Sequence, residues 1–132
     1  MEIIEFNQEL HRGVVNKWLA KRGHPPVLDF PAIGYCIQLH NNALVCCGFL
    51  RKIEGGYAMI DGYASDPEAL PVVRHDALNL LTAQLVKEAQ RLEIKTLFAL
   101  SIDKNTIMRA SDHGFSVLPY AALALDTSKK AD

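Results

Sequence analysis

The sequence predicts a mixed α/β fold in which a central sheet, part antiparallel and part parallel, is flanked by helices. Apolar residues alternate with a period of two from Ile33 to His40, as in strands, and recur every three to four residues around 10–19 and 78–92, as in amphipathic helices. The chain has 132 residues, of which 49% are apolar and 22% are charged, which suits one globular domain. We therefore expect a single domain over 1–126, with a polar tail at 127–132 and the element order β-α-β-β-β-α-β-α-β.

The first half is predicted to contain a strand, a helix and an antiparallel meander. Met1 to Phe6 has the apolar content of a short strand, and Asn7 is suited to cap the helix that follows. Gly23 and two prolines end that helix and begin a proline-rich loop at 24–32. The meander strands, separated by Asn41-Asn42 and Glu54-Gly55-Gly56, are predicted at 33–40, 43–51 and 57–65.

The second half is predicted to alternate between helices and strands. A loop at 66–71 leads into a long amphipathic helix over roughly 72–93. The apolar run Thr96–Ile102 is typical of a strand that is covered on both faces. Asp103 is the expected N-cap of a second helix that ends near Gly114, and 116–125 is predicted as the last strand, with an apolar edge that suits a homodimer.

Charge and cysteine content exclude several classes of protein. Lys and Arg total 14 and Asp and Glu total 15, and a net charge of −1 argues against a nucleic-acid binder that neutralises phosphates. Cys36, Cys46 and Cys47 lack the spacing of a disulfide framework or a zinc site, and we interpret them as small buried apolar residues. We expect no metal site, no signal peptide and no membrane span, and therefore a cytoplasmic location.

Two segments, ASDPEALPVVRHDALNLL and SIDKNTIMRASDHGF, together with the element order, resemble the GNAT superfamily of acetyltransferases. The resemblance covers nearly the whole chain and is closest to short GNAT-like proteins of phage and prophage genomes. It implies that acetyl-coenzyme A binds in a V-shaped gap between two parallel strands, here Tyr57–Ser65 and Thr96–Ile102. The helix that follows the first of these strands is suited to the pyrophosphate, because a helix N-terminus offers free N–H groups and a favourable dipole.

The resemblance also assigns the cofactor-binding residues. The family's pyrophosphate signature, Arg/Gln-x-x-Gly-x-Gly/Ala, is matched at Arg74, whereas Ala77 and Asn79 stand at its two small-residue positions. The backbone at the end of the 57–65 strand is expected to bind the pantetheine arm. The implied cofactor-binding residues are Tyr63, Ala64, Ser65, Arg74, His75, Asp76, Ala77, Leu78, Asn79 and Asn105.

Acetyl transfer to an amine needs a base for the amine proton and an acid for the leaving thiolate. Asp61 matches the carboxylate that many family members use as a base, and an expected strand face shared with Tyr63 would bury it and raise its pKa. The alternative is a strand-end aspartate that is hydrogen-bonded to a turn. Because Ala110 stands where many members have a tyrosine acid, Tyr120 is the candidate catalytic acid, with Tyr63 as a second choice.

Two functional hypotheses follow and stay open. In the first, the chain is a small N-acetyltransferase that transfers an acetyl group from acetyl-CoA to an amine of a small molecule or a protein. In the second, it keeps the fold without turnover and acts as a binding protein, such as a phage particle component or a protein that binds a host factor. Ala77, Asn79 and Ala110 favour the second hypothesis, and titration with acetyl-CoA separates the two.

Overall fold

A computed structural model describes residues 1–128 and contains five strands and three helices. Their bounds are β1 Glu2–Glu5, α1 Gln8–Lys21, β2 Ile33–Gln38, β3 Leu44–Ile53, β4 Tyr57–Ser65, α2 Pro71–Arg91, β5 Thr96–Phe98 and α3 Lys104–Asp112. The predicted mixed fold is confirmed, and the predicted element order is confirmed as far as α3. The chain divides into two compact units, of which the first comprises residues 1–99 and the second begins at residue 100.

The sheet lies in the first unit and has the strand order β1-β2-β3-β4-β5. The first three neighbouring pairs are antiparallel, which confirms the predicted meander, and β4 pairs with β5 in parallel. Asn42, with φ of 64°, supplies the positive φ that the β2–β3 turn requires, and Gly55 and Gly56 do so in the β3–β4 turn. The helix α2 connects the two parallel strands, as a parallel pair requires.

The face of the sheet that α1 covers holds an aromatic core. Val15 and Trp18 of α1 are buried together with Phe49 of β3. The rings of Phe6, Phe30 and Phe49 lie 4.8–5.1 Å from one another between centroids. Gly34 is required beneath this cluster, since a Cβ there would lie 2.4 Å from the Phe49 ring.

The opposite face is covered by α2, mainly over β2 and β3. Four residues spaced along α2 form its buried stripe, namely Ala77, Leu81, Leu85 and Ala89. Glu88 is also buried, and Arg91 donates to both of its carboxylate oxygens, at 3.0 and 2.5 Å. The Arg91 contact holds the pKa of Glu88 below its ordinary value, whereas burial and the nearby Glu88 carboxylate raise the pKa of Tyr35.

The local signals for α1 are confirmed by its contacts. Asn7 caps the helix, because its side-chain oxygen accepts the Leu10 N–H at 3.1 Å. Asn16 exchanges two 2.9 Å hydrogen bonds with the backbone of Val27, which holds the proline-rich loop against the helix. That loop is therefore fixed beside the α1 face of the sheet.

The interpretation of the cysteines needs one correction. All three are fully buried, as expected, but Cys36 and Cys47 form a disulfide across β2 and β3. Their Cα atoms lie 4.2 Å apart because the two residues are directly opposed in the strand register. Sequence spacing gave no sign of the pair, since the register of β2 on β3 decides which cysteines meet.

Two predictions for the C-terminal part are wrong. The strand predicted at 96–102 ends at Phe98, and no strand forms at 116–125 within the described residues. The predicted dimer edge therefore has no strand to offer in the described chain, and the apolar side chains Val117, Leu123 and Leu125 are 76–94% exposed. The tail predicted at 127–132 lies mostly outside the described residues. Among residues 1–128, no helix has the length and apolar character needed to cross a membrane.

Candidate functional site

The ladder between β4 and β5 ends before β4 does. The parallel ladder joins Tyr57 to Thr96 and ends at the pair Met59–Phe98, whereas β4 continues to Ser65. Beyond Met59, β4 therefore continues past its last pair with β5 and is paired with β3. A strand edge at which a ladder ends in this way can bind an extended chain through backbone hydrogen bonds.

A bulge in β4 lies three residues beyond its last pair with β5. Asp61 is opposed to Phe49 and Ala64 to Cys47, so Gly62 and Tyr63 together face the single residue Gly48. Gly62 has φ of +74°, a backbone conformation that glycine adopts at no steric cost. Such a bulge bends the strand and increases its twist.

The bulge overturns the prediction that Asp61 and Tyr63 share a strand face. The Tyr63 ring lies over Gly48 on the α2 side, where a Cβ on Gly48 would be 2.7 Å from the ring. Its hydroxyl lies 2.6 Å from the hydroxyl of Thr82 of α2, which also donates to the Leu78 carbonyl. The Tyr63 side chain is therefore fixed beneath α2.

Asp61 lies on the α1 face and is not buried as expected. Its carboxylate accepts a hydrogen bond from the Arg51 Nε at 2.9 Å, and the two side chains are 39% and 53% exposed. Arg51 is opposed to Met59, two residues before Asp61 on β4, so the pair is a diagonal cross-strand contact. The site thus presents a carboxylate and a guanidinium side by side, both accessible to a ligand.

The connection from β4 to α2 is braced by the end of α1. Arg22 donates to the carbonyl oxygen of Ser65 and, at 3.2 Å, to its hydroxyl. Lys21 forms a 3.0 Å ion pair with Glu68 in the same connection. Asp66 closes a turn by accepting the Glu68 N–H at 2.9 Å. These contacts fix the place at which α2 begins.

The N-terminus of α2 has the features of an anion-binding site. Pro71 is its first residue, no side chain caps it, and its first turn contains no acidic residue. The first N–H bonded within the helix is that of Arg74, to the Leu70 carbonyl at 2.9 Å, so the N–H groups of Val72 and Val73 precede the regular ladder. The dipole of a 21-residue helix adds positive potential there.

The three signature positions of α2, Arg74, Ala77 and Asn79, differ in burial and in their contacts. Ala77 is fully buried against the sheet, so its methyl group occupies none of the space above the helix start. Asn79 is half-buried and its side-chain nitrogen lies 3.1 Å from the His75 Nε2. His75 and Asp76 are exposed, and Arg74 and Leu78 are half-buried. Arg74 is thus the cationic side chain of the motif closest to the helix start.

The remaining predicted site residues belong to the second unit. Asp103 caps α3 by accepting the Thr106 N–H at 2.9 Å, and this contact lowers the pKa of Asp103. Asn105 is exposed in the first turn of α3, and Tyr120 is 79% exposed in the segment after it. The predicted roles of Asn105 in cofactor binding and of Tyr120 as the catalytic acid stay predictions.

Three residues that matter at this site were missed in the sequence. A glycine within a predicted strand indicates a bulge, and Gly62 carried that signal. The turn at Gly55-Gly56 places Arg51 near Asp61 once the hairpin is paired outward from the turn. Thr82 carried no signal, because its contact with Tyr63 depends on the bulge.

Comparison with known proteins gives matches in structure only. No protein-family model and no curated protein sequence matches the chain. An acetyltransferase from Trypanosoma brucei matches with a TM-score of 0.71 and 12% identity, over 95% of this chain and 98% of that one. A ribosomal-protein-alanine N-acetyltransferase from Brucella melitensis biovar Abortus 2308 matches with a TM-score of 0.69 and 10% identity, over 95% and 97%.

A third match was solved with a ligand. Rv2747 from Mycobacterium tuberculosis, in complex with CoA, matches with a TM-score of 0.69 and 14% identity, over 92% of this chain and 77% of that one. These matches show that the chain has a GNAT-like fold. The matched proteins come from bacteria and a trypanosome and give no support to the phage origin suggested by the sequence resemblance.

Proposed function

We propose that the chain is an N-acetyltransferase that transfers the acetyl group of acetyl-CoA to a primary amine. The observation that carries the proposal is the parallel ladder, which ends at Met59 and Phe98 while β4 continues to Ser65. The pantetheine arm of CoA is an extended chain with amide groups, which can pair with a strand edge as an added strand does. The backbone of Tyr63, Ala64 and Ser65 is assigned to this arm from the sequence, and the Ser65 carbonyl already accepts a hydrogen bond from Arg22.

The start of α2 fits the pyrophosphate. The uncapped helix N-terminus supplies the N–H groups of Val72 and Val73, and Arg74 adds a cationic side chain. His75, Asp76, Leu78, Asn79 and, from the second unit, Asn105 are assigned to the same ligand from the sequence. Ala77 leaves the approach open because its methyl group faces the sheet.

Asp61 is the proposed base. When bound, acetyl-CoA supplies an activated thioester. The half-exposed Asp61 carboxylate can take a proton from the acceptor amine, directly or through a water molecule, and release it to solvent. Arg51 holds the carboxylate in position through their 2.9 Å contact. Tyr120 is the proposed acid for the thiolate, because Ala110 cannot provide a proton.

A second candidate function is ligand binding without turnover. Ala110 in place of a tyrosine and Asn79 in place of a small residue favour it, since both remove features that turnover uses in the GNAT superfamily. In that case the same strand edge and helix start bind CoA, or a partner takes their place, and no acetyl transfer follows.

Isothermal titration with acetyl-CoA tests the proposal. We expect saturable binding that Arg74→Gln weakens by about tenfold, the effect of one charge-assisted contact. Lys87→Gln is the matched control, because it removes one exposed positive charge from the same helix about 20 Å further along. Absence of heat and of any thermal shift at millimolar acetyl-CoA would remove the N-acetyltransferase proposal.

If acetyl-CoA binds, thiol release in the presence of amines separates the two candidate functions. Asp61→Asn should lower the transfer rate by about a hundredfold or more while acetyl-CoA binding is retained. Binding without transfer by the unaltered protein would favour the ligand-binding function. An unchanged rate in the variant would show that Asp61 is not the base.

A further inference from the structure

The connection between β4 and α2, residues 66–70, joins the two parts of the proposed CoA site. The pantetheine arm is assigned to the backbone of 63–65 at the end of β4, and the pyrophosphate is assigned to the start of α2. Since one CoA molecule must reach both places at once, its affinity depends on the distance and angle between them. Residues that hold this connection therefore affect binding without contact with the ligand.

One peptide group, between Ser65 and Asp66, sets the direction in which the chain leaves β4. Its N–H, on Asp66, donates to the Val45 carbonyl of β3 at 2.8 Å. Its carbonyl oxygen, on Ser65, accepts a hydrogen bond from the Arg22 guanidinium. Because a peptide group is planar, hydrogen bonds at both of its ends hold it more firmly than the ladder bond alone. Arg22 thus restrains the connection at its first peptide group.

The Arg22 side chain starts from a fixed backbone. Gly23, with φ of +78°, and His24 donate backbone hydrogen bonds back into the last turn of α1, at 3.0 and 2.9 Å, which closes the helix end. Two different nitrogens of the guanidinium then reach Ser65, one at the carbonyl oxygen and one at the hydroxyl, the latter at 3.2 Å. Two donors in a rigid fork fix the orientation of the contact as well as its distance.

We propose that Arg22 is a positioning residue that sets the spacing between the end of β4 and the start of α2 for acetyl-CoA. This inference rests on the proposed function, because it concerns the same cofactor site. Arg22 acts through Ser65 rather than by contact with the cofactor. Without the guanidinium the connection adopts several directions, and only some of them suit a ligand that spans both places.

Loss of this contact should leave the fold intact. The body of α2 is held to the sheet by its buried stripe and by the 2.6 Å contact between the hydroxyls of Tyr63 and Thr82. Arg22 is exposed, and exposed charged contacts contribute little to stability. Lys21 and Glu68 also join α1 to the connection, but these side chains are 44% and 77% exposed, so their ion pair should matter less than the two-point contact of Arg22.

Calorimetric titration of CoA and of ADP into Arg22→Ala tests the inference. CoA spans both parts of the site, whereas ADP carries a pyrophosphate and no pantetheine arm. We expect Arg22→Ala to weaken CoA binding by about tenfold and ADP binding by no more than about twofold, since only the ligand that spans both parts requires the spacing. Arg22→Lys keeps one cationic donor and should restore part of the affinity for CoA.

Arg12→Ala is the matched control. Arg12 is another exposed arginine of α1, and its side chain reaches the Leu28 carbonyl of the proline-rich loop, at 3.5 Å, rather than β4. The Arg12→Ala variant should bind CoA and ADP as the unaltered protein does. The urea midpoints of Arg12→Ala and Arg22→Ala should agree, and a much lower midpoint for Arg22→Ala would give Arg22 a structural role instead.

The outcomes separate this inference from the proposed function. Equal CoA affinity in Arg22→Ala and the unaltered protein would overturn the role of Arg22 and leave the proposed function standing. Weakening of CoA and ADP by the same factor would also overturn it, because the start of α2 would then be affected as a whole. A failure of CoA to bind the unaltered protein would overturn the proposed function together with the inference.

Discussion

Replacement of Gly62 by alanine tests the bulge on which the site depends. At φ of +74° a residue with a Cβ is strained, and the left-handed conformation costs an L-residue about 1–2 kcal/mol. Crowding adds little, since the new Cβ would lie 3.4 Å from the Phe49 ring, an ordinary contact distance. We therefore expect Gly62→Ala to lower the free energy of unfolding by about 1–2 kcal/mol.

Urea unfolding followed by the fluorescence of Trp18 measures this change, because Trp18 is the single tryptophan and is 5% exposed. Gly13→Ala provides a matched control within α1. A Cβ at Gly13 meets nothing within 4 Å and the residue lies inside a helix, so the same substitution should stabilise the protein by about 0.5–1 kcal/mol. The two variants should thus move the urea midpoint in opposite directions.

The functional consequence of Gly62→Ala follows from strand geometry. If the bulge straightens, residues 63–65 shift by one position and Tyr63 leaves its contact with Thr82. Acetyl-CoA binding at this edge should then weaken even where the variant is fully folded. A urea midpoint equal to that of the unaltered protein, or raised as in Gly13→Ala, would refute the claim that an alanine is strained at this position.

Two further predictions concern stability alone. Reduction of the Cys36–Cys47 disulfide, which joins residues 11 apart, should lower the free energy of unfolding by about 3 kcal/mol. Urea midpoints with and without dithiothreitol measure it, and Cys46→Ala should keep the difference. Because Arg91 lowers the pKa of Glu88 from its ordinary 4.5, the native state gains stability above that pH and loses it as the pH falls through the lowered pKa. Glu88→Gln should reduce the loss of unfolding free energy that occurs as the pH is lowered from 5. A variant that loses as much unfolding free energy as the unaltered protein would contradict the role given to Glu88.

The elements that were predicted from the sequence are those whose signals are local. Asn7 at the start of α1 and the glycines of the β3–β4 turn act within a few residues of themselves, so their effect does not depend on the rest of the chain. The apolar stripe of α2 likewise predicted which of its faces is buried. These signals were sufficient for the order of elements up to α3.

The features that were not predicted depend on register or on tertiary pairing. Cys36 and Cys47 meet only because β2 and β3 pair in one register. The apolar segment at 116–125 has the composition of a strand, but alternation cannot show whether a partner strand exists. For the same reason, the apolar run that continues beyond Phe98 could not show that β5 ends there.

For the candidate site, the element on which a residue lies was easier to predict from the sequence than the side chains that surround that residue. Asp61 lies on β4 and Arg74 in the first turns of α2, the elements predicted for them, and their roles stay predictions. The prediction that Asp61 shares a strand face with Tyr63 was wrong, because one extra residue in β4 reverses the face of every residue that follows it. Burial and charge around a site residue therefore could not be derived from alternation once a bulge intervened.

The bulge places the side chains of Asp61 and Tyr63 on opposite faces of the sheet. It sends the Tyr63 side chain toward α2, where its hydroxyl contacts Thr82. It leaves Asp61 on the α1 face with Arg51 as its charged neighbour. If Asp61 is the base, as proposed, the acceptor amine must be recognised on the α1 face beside Arg51, and substitution of Arg51 should change which amine is used before it changes acetyl-CoA binding.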